Sequence, residues 1–136
     1  MNKAIKCNSI NLKIYVEDTD FQGVVYHANY LKFFERARSE FLALNNISQS
    51  KLRKNNLAFV IKSINIKYIA AAELGDEIVV NSVVEKKSDA RMIFNQKVVN
   101  SKTGIEYVNG DVEVCFINLL TKKPQKFPDD LLLIFK

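Results

Sequence analysis

Apolar and polar residues change places along this chain in two rhythms. Ile10, Leu12, Ile14 and Val16 alternate with Asn11, Lys13, Tyr15 and Glu17, the period of two of a strand with one buried face, so a first strand is expected over 10–17. The stretch 18–26 holds aspartates, Thr19, Gln22 and Gly23 and reads as a connecting loop with at least one sharp bend. From Tyr30 the rhythm becomes helical. Tyr30, Phe33, Phe34, Ala37, Phe41 and Leu44 form one apolar stripe, while Lys32, Glu35, Arg36, Arg38 and Glu40 fall elsewhere, which predicts a long helix over 29–44. Arg36 and Arg38 are expected on a solvated or subunit-facing side of it. Arg36 with Glu40, and Glu35 with Arg38, have the spacing of helical ion pairs worth about 0.2–0.5 kcal/mol each.

The polar segment 45–56 reads as a helix end, a short second helical turn and a loop. Beyond it the pattern stays extended, with strands expected over 58–69, 77–84, 91–99 and 108–116 from their β-branched residues and alternation. Turn residues at Leu74-Gly75-Asp76, Ser88-Asp89 and Ser101-Lys102-Thr103-Gly104 separate them. Pro124 and Pro128 mark an irregular tail whose apolar end, 131–135, is expected to pack on the sheet or on a neighbour. Short turns imply antiparallel neighbours, because a parallel pair needs a crossover of about a dozen residues or more. The expected fold is therefore α+β, an antiparallel five-stranded sheet wrapped around one long helix, in one domain over 1–136. Its edge strands are exposed, and a second copy pairing with one of them would cover it.

Composition narrows the chemistry. The chain has 136 residues, 48% of them hydrophobic, and a formal charge of +5, which favours phosphates, anionic substrates or acidic proteins without choosing among them. One histidine, His27, and two cysteines, Cys7 and Cys115, without CxxC spacing argue against a zinc site and a disulfide framework. No GxSxG, GxxxxGK[ST] or GxGxxG occurs, removing the usual marks of serine hydrolases, phosphate loops and dinucleotide sites. The N-terminal stretch lacks the apolar core of a signal peptide, and no apolar run approaches the roughly 20 residues of a membrane span. The compartment expected is the reducing cytoplasm, at most at the periphery of the inner membrane.

The informative stretch is 16–38, VEDTDFQGVVYHANYLKFFERAR. It gathers Asp18, Asp20, Gly23 and His27 just before the helix, whose first N–H groups lack intrahelical partners and favour negative charge. A carbonyl oxygen gaining charge in acyl transfer could be stabilised there, and Asp20 could attack the carbonyl carbon or activate a water. A thiol leaves as thiolate with a pKa of about 8.5, so a thioester suits such a site where an amide does not. Asp18 is expected to be mainly a turn or capping residue.

The run D-T-D-F-Q-G-V-V-Y-H-A-N-Y-L followed by F-F-E-R-A-R resembles the signature of hotdog-fold acyl-CoA thioesterases of the 4-hydroxybenzoyl-CoA thioesterase type, and more narrowly the bacterial branch associated with the Tol-Pal system. The resemblance implies a hydrolase releasing free acid and coenzyme A with no cofactor or metal. It puts Asp20 at the catalytic carboxylate position and His27 just ahead of the helix, its backbone N–H polarising the carbonyl. Gly23 becomes the bend that lets the chain approach the substrate, with Tyr26 as a neighbouring substrate contact. Lys86, Lys87 and Arg91 fall in a region where similar proteins hold the phosphates of coenzyme A, and the site lies between two subunits of a homodimer or homotetramer. The chain departs from the branch at Val16, where relatives often carry a second tyrosine, which bears on rate or chain-length preference. The competing readings are a weakly active scaffold that binds acyl carrier protein or phospholipid-synthesis enzymes, and a nucleic-acid binder. The second lacks any recognisable motif.

Overall fold

The computed structural model describes residues 3–136. Six strands form one antiparallel sheet: β1 (Ala4–Lys6), β2 (Ile10–Lys13), β3 (Leu57–Tyr68), β4 (Glu77–Ser88), β5 (Arg91–Asn100) and β6 (Glu106–Asn118). Their order is β1-β4-β5-β6-β3, with β2 also on β4. The long helix α1 (Asn29–Leu44) lies on one face against β4 and β5, α2 (Gln49–Lys54) packs against β3, and α3 (Asp129–Ile134) ends the chain. This is the α+β hotdog arrangement expected, with two differences.

The strand expected over 10–17 is preceded by a second short one, β1, that was not expected. Ala4 pairs with Glu85 and Ile10 with Val80, so the register slips by one residue across Cys7, Asn8 and Ser9, as at a bulge, and the sheet has six strands rather than five. The expected strand also ends early, at Lys13. Ile14 turns its backbone onto the 75–76 turn, donating to the Asp76 carbonyl and accepting from Gly75 N, and Val16 lies in a 3-10 turn (Val16–Asp18) with most of its side chain in water. The second difference is the tail. Its end is helical and packs within its own chain: Leu131 and Phe135 are buried, and Phe127 sits 6.2 Å from both Phe59 and Phe116.

Alternation places the core. Ile78, Val80, Ser82 and Val84 on β4, Met92, Phe94, Gln96 and Val98 on β5, and Val108, Val112, Val114 and Phe116 on β6 are buried beneath α1. Gly110 of β6 is the point of closest approach: a Cβ there would stand 3.0 Å from a Phe34 ring carbon and 3.0 Å from the Asn65 carbonyl oxygen. The helix does not reach the edge strand equally well. On β3, Ile61, Ile64 and Tyr68 remain 46%, 40% and 49% exposed, on the same face as the core because they pair with Val114, Val112 and Val108.

Arg38 corrects the expectation of a solvated side. It is buried, while Arg36 is exposed. One Arg38 Nη donates to Gln96 Oε1 (3.0 Å), and Gln96 Nε2 donates to the Phe34 carbonyl and to Ser82 Oγ (2.9 Å each). Neither helical ion pair expected from spacing forms among the described residues.

Candidate active site

The loop between β2 and α1 is shaped by its two aspartates in different ways. Asp18 is buried. Its Oδ2 accepts from Tyr15 N (2.9 Å), its Oδ1 from Asn29 Nδ2 (2.8 Å), and its carbonyl from Tyr26 N (2.9 Å), so it ties the 3-10 turn to the first residue of the helix. Asp20 is half-buried and opens a tight turn. Its carbonyl accepts from Gly23 N (3.0 Å), its N–H donates to the Val24 carbonyl (2.9 Å), and Oδ1 accepts from Gln22 N (2.8 Å), an Asx turn. Gly23 has φ +81°, where a Cβ is penalised even in open space. Phe21, at the tip, is 97% exposed.

This small hairpin is clamped on the segment before β4. Val25 N donates to the Ala72 carbonyl (2.8 Å) and Leu74 N to the Gly23 carbonyl (3.0 Å). The 73–76 turn is held in its own right: Asp76 Oδ2 accepts from Glu73 N (2.9 Å) and from the Tyr107 hydroxyl (3.0 Å). Burial pushes the Tyr107 hydroxyl above its ordinary pKa, keeping it a donor.

Between hairpin and helix, Asn29 N donates to the Tyr26 carbonyl (2.8 Å), and the His27 carbonyl accepts from the Tyr68 hydroxyl (3.0 Å). The N–H groups of His27 and Ala28 donate to no acceptor among the described residues, and no side chain caps α1 at Ala28. The exposed His27 ring lies 4.5 Å from the Tyr26 ring and 6.2 Å from that of Tyr68. Tyr68 in turn meets Tyr30 at 6.0 Å, whose hydroxyl accepts from Ala72 N. Tyr68 is the residue sequence reasoning missed. It ends a strand 41 residues from its partner, and nothing local distinguishes it from other strand aromatics.

Asp20, Gly23, Tyr26 and His27 are thus brought together in one clamped loop. Lys86, Lys87 and Arg91 are not brought to it within this chain. They sit at the far end of β4 and β5, nine residues or more beyond Glu77, about 30 Å along the strand. Each meets a carboxylate there: Lys86 with Asp89 (2.7 Å), Lys87 with Glu85 (3.2 Å) and Arg91 with Glu113 (2.7 Å). No cluster of three or more His, Cys, Asp or Glu able to hold a metal occurs among the described residues, and no helix described is long and apolar enough to cross a membrane.

A family model described as the thioesterase-like superfamily matches residues 14–135. The chain belongs to the thioesterase-like superfamily. Among proteins similar to this superfamily member is the acyl-CoA thioesterase YbgC of Haemophilus influenzae, 39% identical over 128 residues that span 93% of each chain. The acyl-CoA thioester hydrolase YbgC of Escherichia coli O157:H7 is 34% identical, over 92% of each. Among solved structures, a probable thioesterase from Bartonella henselae is 32% identical with a TM-score of 0.82, covering 90% of this chain and 99% of that one. A 1,4-dihydroxy-2-naphthoyl-CoA thioesterase from Synechocystis superposes with a TM-score of 0.89 over 98% of this chain and 96% of that one. At 19% identity, that likeness speaks for the fold alone.

Proposed function

We propose that this thioesterase-like chain hydrolyses acyl-CoA thioesters to a free acid and coenzyme A, with Asp20 and His27 at the reacting centre. The observation that carries the reading is the pair of N–H groups at His27 and Ala28 that have no partner among the described residues, a few residues from a half-buried carboxylate whose Oδ1 is held by Gln22 N. Those amides, at the start of α1, are suited to a carbonyl oxygen that becomes an oxyanion. Asp20 takes the proton from a water as its oxygen attacks the thioester carbon. The tetrahedral oxyanion then collapses, the C–S bond breaks, and the thiolate leaves and is protonated. In the covalent variant an Asp20 oxygen attacks the thioester carbon, the tetrahedral adduct expels the thiolate and becomes a mixed anhydride, and water hydrolyses that anhydride to the free acid and the Asp20 carboxylate. Tyr26 and Gly23 contact the substrate beside this centre.

The site is completed by a second copy. The uncovered row of Ile61, Ile64 and Tyr68 on the edge strand β3 supports pairing of two β3 strands in one continuous sheet with both helices on the same face. A twofold then runs the strands antiparallel, and the Leu57 end of one lies beside the Tyr68 end of the other. The partner's far-end basic residues, those equivalent to Lys86, Lys87 and Arg91, approach this chain's loop and meet the phosphates of coenzyme A.

A panel of acyl-CoA compounds assayed for thiol release tests the activity. Wild type turns over at least one compound, and Asp20→Asn loses about 10²–10⁴-fold in kcat, the range of general acid–base catalysis. His27→Ala keeps the amide and loses less. Label from oxygen-18 water entering the Asp20 carboxylate in a single turnover selects the covalent variant. Turnover by Asp20→Asn equal to wild type removes Asp20 from the mechanism. No turnover of any compound, with co-purifying acyl carrier protein, replaces the reading with the scaffold. Ile64→Glu yields monomer in light scattering if β3 is the interface.

A further inference from the structure

Beneath the middle of α1, between the helix and the first half of β3, lies a cavity of about 180 Å³. Leu42, Phe59, Met92, Phe94 and Val114 supply its apolar wall, and Arg38 its one buried charge. Apolar cavities of about 150 Å³ accept a guest the size of benzene, so this one has room for the end of an acyl group. Arg38 is 9% exposed, yet among the described residues it forms no ion pair and makes a single side-chain hydrogen bond, to Gln96. A guanidinium carries five donors in a fork, and a buried cation lacking a counterion is costly. Burial lowers the Arg38 pKa, but a guanidinium stays charged at neutral pH. Arg38 lines the cavity, and its remaining nitrogens are not sealed away from solvent, since the buried side-chain atom without a partner among the described residues is Asn8 Oδ1. The acceptor that satisfies such a fork best is a carboxylate, bound through two parallel hydrogen bonds.

Phe59 and Ile61 of β3 line the cavity, and Ile61 is part of the uncovered row, so the cavity reaches the uncovered part of β3. In the antiparallel β3 pair this end of the strand adjoins the partner's Tyr68 end, where Tyr68 holds the His27 carbonyl. We propose that the cavity of one subunit receives the far end of the acyl group whose thioester sits at the other subunit's loop, and that Arg38 selects acyl groups ending in a carboxylate. This rests on the thioesterase reading above. Glu35 also lines the cavity. It is exposed and more than ion-pair distance from Arg38, so it stays at the mouth in water, where it opposes an anionic acyl end and tempers the preference.

The test compares CoA thioesters in matched pairs from butanoyl against succinyl to dodecanoyl against dodecanedioyl. At the length that reaches the cavity, the carboxylate-ended member has the higher kcat/KM by about 10- to 100-fold, the range of one charge-assisted hydrogen-bonded contact. Arg38→Met reverses the order through KM with little change in kcat, as loss of uniform binding does, and Arg38→Lys, which keeps charge without the fork, falls between. Glu35→Gln raises the preference. The inference is overturned if wild type favours the monocarboxylic member at every length, if Arg38→Met leaves the ratio unchanged, or if Arg38→Met dissociates the dimer, which would make a partner carboxylate the true occupant. Thermal shift with free suberate against octanoate reads the cavity without turnover. Suberate raises the Tm of wild type and not of Arg38→Met if the inference holds, and raises neither if it fails. Absence of all turnover strikes the thioesterase reading, and the thermal shift then decides the cavity by itself.

Discussion

The same substitution two residues apart should separate folding from chemistry. In Asp18→Asn the buried carboxylate that accepts from Tyr15 N and Asn29 Nδ2 becomes an amide with one accepting oxygen. One donor keeps its partner, and the other now faces an NH2 group. Hydrogen bonds to a charged group are worth about 1.5–3 kcal/mol, so we expect a loss of about 2–3 kcal/mol, tolerable against the 5–15 kcal/mol of an ordinary domain. With an unfolding entropy of about 2.1 cal/mol/K per residue, a chain this long loses about 3–4 °C in Tm per kcal/mol, or about 6–12 °C here. In Asp20→Asn the amide oxygen can still accept from Gln22 N and asparagine suits an Asx turn, so stability should stay within about 0.5 kcal/mol of wild type, as for surface changes. Urea unfolding and thiol release measured on one preparation of each variant give the contrast: Asp18→Asn less stable with turnover retained below its Tm, Asp20→Asn stable and inactive. An Asp20→Asn protein as unstable as Asp18→Asn, or a stable but inactive Asp18→Asn, would refute the division of labour between the two carboxylates.

Gly110→Ala forces a Cβ to 3.0 Å from the Phe34 ring and the Asn65 carbonyl oxygen, and should cost about 1–3 kcal/mol, the usual penalty of overpacking. Adding Phe34→Leu should recover only part of that, because the backbone oxygen remains, and chemical denaturation reads both. Burial pushes the Cys7 thiol up to about 12, so at pH 8 Ellman's reagent should leave Cys7 unmodified in the folded protein and reach it only after denaturation. Arg91 holds the Glu113 carboxyl below its ordinary value of 4.5, first through their hydrogen bond, with Ser63 and Lys62 helping. A depressed folded pKa gives stability that is present above the ordinary value and lost as pH falls through the folded one. The stability gap between wild type and Arg91→Met should therefore be widest near neutrality and close in acid, and an unchanged gap in urea titrations at low pH would contradict this.

Much of this protein could be read from neighbours in sequence. The helix 29–44 appears with the bounds expected, because a stripe repeating every third and fourth residue specifies its own geometry. The strand starts at Glu77 and Arg91 and the turns at Gly75 and Gly104 follow from alternation and turn chemistry in the same way. The loop that gathers Asp20, Gly23 and His27 was legible as a motif for the same reason, since its turn and helix entrance are both local.

What needed the tertiary structure is whatever depends on a distant partner. The break between β1 and β2 is a register slip against β4. Tyr68 holds the His27 carbonyl across 41 residues, and the tail became helical because Leu131 and Phe135 found a buried place. Arg38 is the instructive case. It lies four residues after Phe34 and one after Ala37, bordering the apolar stripe, and its charge set it among the residues expected in water. Only the sheet across from it, with Gln96 at hydrogen-bonding distance and a cavity beside it, decided that a guanidinium could be buried there. Spacing along a helix tells which side chains share a face, whereas burial depends on what the opposite face offers, and that is assembled from strands far away in the chain.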